Sequence, residues 1–294
     1  MRKKLLLIIN PVSGLKMAHF YLTRMTSVLT EAGYDVFTML TTKRGDAAEW
    51  AKTYGEGFDR IVACGGDGTF NEVVSGNIKG FQREIGYIPC GSTNDFAASL
   101  GLPSDIMAAA EAAGRDTLHP IDAGTFGERN FTYVASFGAF TKASYATPQN
   151  VKNVIGHLAY VLEGGMELTN LHPETVALEA EGKTYEGSYI FGAVSNSTSL
   201  GGILSLSPAL VDMNDGNFEV MLIKNPENAL QLSRILKALT SQKLEECEQI
   251  EFFSTRSLRI LRNPVDGWSL DGEFEQGTDG VEIRNLPSAI HLAF

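Results

Sequence analysis

The hydrophobic period of this chain changes once, near Asp122, and that change constrains its architecture more than any other feature. Before it, unbroken apolar runs alternate with stretches whose apolar residues recur at helical spacing. KLLLIIN is a continuous run ending in Asn-Pro. Such a run reads as a strand buried on both faces, as strands of a parallel sheet are. Residues 18–33 then place Phe20, Leu22, Met25, Val28, Leu29 and Ala32 on a helical stripe that Gly33 can cap. YDVFTMLTT, GDAAEWAKTYG, DRIVACGG, TFNEVVSGNIKG, EIGYIPCGS and SDIMAAAEAAGR continue as strand, helix, strand, helix, strand and helix. This β-α-β-α order with short loops predicts a parallel sheet covered by helices.

After Asp122 the apolar residues alternate instead. NFTYVASF, TVALEAEG, SYIFGAVS, NFEVMLIK, RSLRILR and VEIRN carry period two. That period marks strands with one buried face and predicts a mostly antiparallel sandwich or barrel. Helical segments around 151–168 and 226–243 interrupt it. The expected organisation is α/β plus β: an α/β domain over 1–122, a β-rich domain over 123–285, and a segment, 286–294, that returns to the first. An apolar fraction of 44% over 294 residues suits two such cores.

Composition removes several classes of function. A net charge of −11 argues against nucleic acid as a partner. It also gives no help in approaching an anionic membrane, so any membrane contact would be local and transient. No run approaches the ~20 apolar residues that span a bilayer. Leu5–Ile9 is too short for a signal-peptide core, so the cytoplasm is the expected compartment. Cys64, Cys90 and Cys247 are odd in number and lack metal-ligand spacing, which fits reduced thiols. The five histidines show no ligand spacing either.

The chemistry concentrates at strand ends. Gly65-Gly66-Asp67-Gly68-Thr69 follows RIVAC and precedes a helix. Glycines there let the backbone approach a ligand, and N–H groups at a helix start suit phosphate. A plain strand-to-helix turn explains the glycines but does not need an acid in its middle. Cys90-Gly91-Ser92-Thr93-Asn94-Asp95 repeats the logic after EIGYIP, with Asn94 or Asp95 able to cap the next turn. Asn10-Pro11-Val12-Ser13-Gly14 follows the first strand. Such loops belong outside the carboxyl ends of parallel strands, where ligands bind. Neither a GxxxxGK[ST] loop nor a GxGxxG turn is present in this region.

Two acidic segments stand in the second half. Leu270-Asp271-Gly272-Glu273 lies in a strand-like context, where carboxylates two apart would share a face and the glycine would permit a bulge. An exposed acidic hairpin tip is the alternative. Asp212-Met213-Asn214-Asp215-Gly216-Asn217 suits a hard cation, with an ordinary Asp-Gly turn as the alternative.

NPVSG, GGDGTFNEVVSG and GSTNDFA, followed by SLSPALVDMNDGNFEV and WSLDGEFE, resemble in order the motifs of the diacylglycerol kinase catalytic-domain family. That family includes sphingosine, ceramide and bacterial lipid kinases. The resemblance covers nearly the whole chain. It implies an ATP- and Mg²⁺-dependent lipid kinase with its active site between an α/β and a β-rich domain. It implies nucleotide contacts from Asn10, Ser13, Gly14, Thr41, Gly66, Asp67, Gly68, Thr69, Asn71, Glu72, Ser92 and Asn94. Ser92 stands where the family more usually has Thr, and it keeps the hydroxyl. The resemblance also implies Asp271 as catalytic base beside Glu273. A structural Mg²⁺ would sit at Asp215 with the carbonyls of Asp212 and Asn217, and a transferring Mg²⁺ at Asp67 with Asp122 nearby.

The expected acceptor is a lipid hydroxyl presented by a membrane surface, diacylglycerol first. Phosphatidylglycerol, a sphingoid base or an undecaprenol-like alcohol stay open. VIGHLAYVLEGGMEL can line an acyl cavity or simply be core. Lys16 and Lys152 are candidate membrane contacts, and a homodimer stays open. NAD kinases resemble the chain more distantly at GGDGT, and a catalytically silent nucleotide or lipid sensor is a third reading.

Overall fold

The computed structural model describes residues 2–14, 18–138, 155, 158, 159, 171–200 and 204–294. The helix expected at 151–168 falls almost wholly outside them, as do Lys16 and Lys152. The chain divides into two compact units, Met1–Ala123 with Leu286–Phe294, and Gly124–Asn285.

In the first unit β1 (Lys3–Ile9), β2 (Tyr34–Leu40), β3 (Arg60–Gly65) and β4 (Glu84–Pro89) form a parallel sheet in the order β2-β1-β3-β4. Leu5–Ile9 and all of β3 are buried, as a central parallel strand demands. The connections run through α1 (Leu22–Glu31), α2 (Asp46–Tyr54) and α3 (Asp67–Ile78); α4 (Asp95–Ser99) and α5 (Ile106–Ala113) follow β4. On one face of the sheet Leu5, Leu7, Val62 and Ile88 pack with Met25 and Leu29 of α1 and Ala109, Ala110 and Ala113 of α5. Elsewhere in the unit Phe70 of α3 stacks on Tyr87 and Phe96, with ring centroids 4.5 and 4.6 Å apart. Because the chain moves outward from β1 to β2 and then returns to β3 on the other side, strand order reverses between β1 and β3. That is the position where open α/β sheets bind ligands.

The second unit is antiparallel. It contains the end of β5 (Leu118–Phe126), then β6 (Arg129–Phe131), β7 (Val134–Gly138), β8 (Glu174–Ala180), β9 (Lys183–Ser195), β10 (Phe218–Lys224), β11 (Ile250–Thr255) and β12 (Ser257–Arg262). β13 (Trp268–Leu270), β14 (Glu273–Glu275) and the start of β15 (Glu282–Ala293) complete it. The main path runs β14-β13-β7-β9-β8-β12-β15, with β10 and β11 branching from β9 and β6 pairing with β5. α6 (Ala229–Ser241) starts at Asn228, whose side chain accepts the Gln231 N–H. The buried core joins Phe131, Phe137, Leu178, Val194, Phe218, Val220, Ile260 and Trp268. An α/β unit with parallel strands followed by a β-rich unit is the fold class that the change of period predicts.

Candidate active site

In the α/β unit the loops after β1, β3 and β4 meet. The Asn10 N–H donates to the Cys64 carbonyl at 2.9 Å, and its Nδ2 donates to Thr69 Oγ1 at 3.2 Å. The Cys90 N–H donates to the Gly65 carbonyl at 2.7 Å. Gly14 has φ +54°, and a Cβ there would run into the Cys90 carbonyl. A Cβ on Gly91 would lie 2.6 Å from the Gly66 Cα, so the two loops touch backbone to backbone. Gly68 differs: a Cβ there would meet nothing within 4 Å. The first turn of α3 therefore has open space beside it.

Neighbouring residues tie into these loops. The Thr41 N–H donates to the Ile9 carbonyl at 2.8 Å, and Glu72 Oε1 accepts the Gly45 N–H at 2.9 Å. Asn71 Oδ1 accepts the Ser75 hydroxyl at 3.5 Å. Ser92 is exposed and Ser13 half-buried. Asp67 is the first residue of α3, and its carboxylate accepts the N–H groups of Asp95 at 2.9 Å and Phe96 at 3.3 Å. Asn94, one of the two residues expected to cap that turn beside Asp95, has φ +52° and does not cap it; its side chain folds back on Gly91, accepting the N–H at 2.8 Å and donating to the carbonyl at 3.0 Å. The cap is supplied across the fold by Asp67. Asp122, fully buried, accepts the Ser288 N–H at 2.7 Å.

In the β-rich unit the expectation that Asp271 and Glu273 share a face of one strand is corrected. Leu270 pairs with Glu273 across an antiparallel hairpin, and Asp271-Gly272 form its two-residue turn with φ +49° and +85°. Positive φ at both central residues is the type I′ geometry that Asp-Gly favours. The tip is not exposed at Asp271, which keeps only 7% of its surface. One carboxylate oxygen accepts the Thr132 N–H and hydroxyl at 2.6 and 2.7 Å; the other accepts the Tyr133 and Val134 N–H groups at 3.1 and 3.0 Å. Burial pushes the Asp271 carboxyl pKa up, against these four donors, which favour the charge. Glu273 faces Arg129, Oε2 to Nη2 at 3.0 Å.

The acidic loop closes on itself. Asp212 Oδ1 accepts the Asn214 N–H at 3.0 Å, Asp215 Oδ1 the Asn217 N–H at 2.8 Å, and the Asn217 carbonyl the Asn285 side-chain amide at 2.9 Å. Among the described residues no three His, Cys, Asp or Glu side chains converge on a metal position. Sequence reasoning passed over Glu219, which is 3% exposed with Oε2 lacking a hydrogen-bond partner. Burial, then the charges of Asp215 and Asp212, raise its pKa to about 8. The visible signal was a lone acid inside the apolar run FEVMLI.

Glycine-bearing loops that meet at the ends of parallel strands beside an open helix start, without a Walker loop, have the geometry that suits a phosphate chain. Residues 4–126 match the family model of the diacylglycerol kinase catalytic domain, and residues 134–294 that of the YegS C-terminal NAD kinase beta sandwich-like domain. A diacylglycerol kinase of Bacillus subtilis (strain 168) is 34% identical over 99% of this chain and 96% of its own. One of Staphylococcus haemolyticus (strain JCSC1435) is 30% identical over 93% of this chain and 83% of its own. The crystal structure of a diacylglycerol kinase from Bacillus anthracis str. Sterne superposes with a TM-score of 0.77 at 25% identity, over 100% of this chain and 97% of its own. A second structure from that organism reaches a TM-score of 0.82 at 24% identity, covering 100% and 95%, and shares the fold. The chain belongs to the diacylglycerol kinase family and is a lipid kinase. No helix among the described residues is long and apolar enough to cross a membrane.

Proposed function

We propose that this chain transfers the γ-phosphoryl group of ATP to the hydroxyl of diacylglycerol at a membrane surface, yielding phosphatidic acid. The observation that carries the nucleotide half is the meeting of three strand-end loops beside the open first turn of α3. The N–H groups there and the α3 start hold the phosphates. Asn10, Ser13, Gly14, Thr41, Gly66, Asp67, Gly68, Thr69, Asn71, Glu72, Ser92 and Asn94 line or brace that site. Asp67 fixes the start of α4 and offers its carboxylate to the metal side of the nucleotide, with Asp122 as a second acid of the same unit. In the β-rich unit Asp271 takes the proton of the lipid hydroxyl and Glu273 orients it. The lipid names of the relatives support the acceptor, and the membrane contact is peripheral.

Mg²⁺ fits the donor set. The unpartnered Glu219 oxygen lies under the influence of Asp215 and Asp212, and a hard cation would satisfy it. Asp215, with the carbonyls of Asp212 and Asn217, would hold that ion. When bound, Mg²⁺ supplies charge neutralisation, at the phosphates in one place and in the acidic loop in the other.

The test is to incubate the protein with γ-labelled ATP, Mg²⁺, diacylglycerol vesicles, a total lipid extract and NAD in parallel. Label in phosphatidic acid is expected. Label in another lipid of the extract alone would move the acceptor, and label in NAD alone would overturn the proposal.

A further inference from the structure

One six-residue stretch, Arg129 to Val134, grips both acids of the Asp271-Gly272-Glu273 turn. Its C-terminal half supplies the four donors to Asp271. Its first residue reaches the other acid. Arg129 Nη2 lies 3.0 Å from Glu273 Oε2, and Nη1 lies 2.7 Å from Glu275 Oε2 and 3.1 Å from the Phe274 carbonyl. Glu273 and Glu275 are two apart on β14 and so project from the same side. Side by side, two carboxylates repel and take divergent rotamers. A single planar guanidinium between them cancels that repulsion and fixes both.

The three side chains are 39%, 32% and 26% exposed, so solvent screens the pairs and little of the fold's stability rests on them. What the fork does supply is direction. The Arg129 backbone is anchored by its pairing with Phe126 in the β5–β6 hairpin, so the guanidinium reaches β14 from a fixed base.

We propose that Arg129 is a positioning residue of the phosphoryl-transfer reaction, holding the Glu273 carboxylate in its working orientation beside the Asp271 turn. This rests on the assignment of Glu273 to the machinery. A lysine places one point charge where the guanidinium places a fork, so Lys at 129 restores charge without restoring direction. Misplacing a reacting group by about an ångström costs on the order of 10²-fold in rate.

The experiment compares full-length R129M, R129K, E273Q and the R129M/E273Q double variant with γ-labelled ATP and diacylglycerol vesicles, reading kcat, KM for ATP and melting temperature. R129M is expected to lose about 10-fold to 100-fold in kcat, with KM for ATP within about twofold and little change in melting temperature. R129K should recover part of kcat. In the E273Q background R129M should add less than about a twofold further loss. Unchanged kcat in R129M while E273Q is slow would overturn the proposal, as would R129M slowing E273Q by the same factor as the unmodified protein. A loss of kcat that tracks a fall in melting temperature across R129M and R129K would reduce Arg129 to a structural part. Full turnover in E273Q would instead remove Glu273 from the machinery, and with it the ground for this role.

Discussion

In the α/β unit Asp67 accepts the N–H groups of Asp95 and Phe96; in the β-rich unit Asp271 accepts those of Thr132, Tyr133 and Val134, with the Thr132 hydroxyl. Both carboxylates gather backbone donors, but they differ in what is left over. Asp67 is half-buried at the start of a helix beside open space, so its charge still meets solvent. Each carboxylate has both oxygens engaged, but Asp271 is almost wholly buried and each of its oxygens accepts two donors. An acid of the first kind can lose its charge while the fold persists. An acid of the second kind is part of the fold, and any chemistry it performs draws on the same oxygens that hold Thr132 to Val134 in place.

The strongest way to break the comparison is Asp271→Asn. Asparagine tolerates φ +49°, so backbone strain is not introduced. Its amide hydrogens would face the two buried donors of one oxygen, which costs about 2–6 kcal/mol at one to three per unsatisfied group. Unfolding by denaturant should show that loss, and turnover should fall at least ~10²-fold as well. A variant as stable as the parent would mean that Asp271 is no more structural than Asp67.

Asp67→Asn should separate the two effects. The amide oxygen can still accept one N–H of α4, so the melting temperature should hardly move. Turnover should drop about 10²–10³-fold through loss of one preorganised charge. Normal turnover would reduce the glycine loop to a turn.

Gly14→Ala asks how far the α/β site depends on close backbone approach. Left-handed φ costs about 1–2 kcal/mol for a residue with a Cβ, and that atom also meets the Cys90 carbonyl. Nucleotide affinity, measured by calorimetry, should weaken together with stability. Unchanged affinity would show that the loops after β1 and β4 need not touch.

The smallest effect is expected at Glu219→Gln. With its pKa raised to about 8, Glu219 is mostly protonated at neutral pH when no cation is near. The neutral amide should therefore change metal-free stability by less than about 1 kcal/mol. Any rise in melting temperature on adding Mg²⁺ to the parent protein should disappear in the variant. An undiminished rise would place the ion away from Glu219.

Legibility in the sequence followed the range of the contacts. β1, β3 and the loops Asn10–Gly14 and Gly65–Thr69 are each written in one continuous stretch, so period and glycine spacing disclosed them. The Asp271-Gly272 hairpin was legible in principle, since Asp-Gly favours type I′ turns, but WSL and EFE are too short to show a period. The partners of the acids were not legible at all. Nothing in Gly127-Glu128-Arg129-Asn130 says that its arginine faces β14, and nothing near Asn94 says that Asp67 caps the helix after it. These are pairings between distant segments, fixed only when the strands register. Glu219 shows the converse: a charge inside an apolar run was plain to see, and its meaning came from Asp212 and Asp215 beside it.

The return of Leu286–Phe294 to the α/β unit, where Leu292 and Ala293 pair in parallel with Ile85 and Gly86 of β4, has a consequence during synthesis. A ribosome releases residues 1–123 first and then makes all of residues 124–285 before the missing strand emerges. For that whole interval the nascent chain carries β4 as an open edge, the kind of surface that pairs with other chains. Domains usually mature in the order they are made. Here the first to emerge is the last to close, so its full sheet forms only in chains that have already been translated through the second.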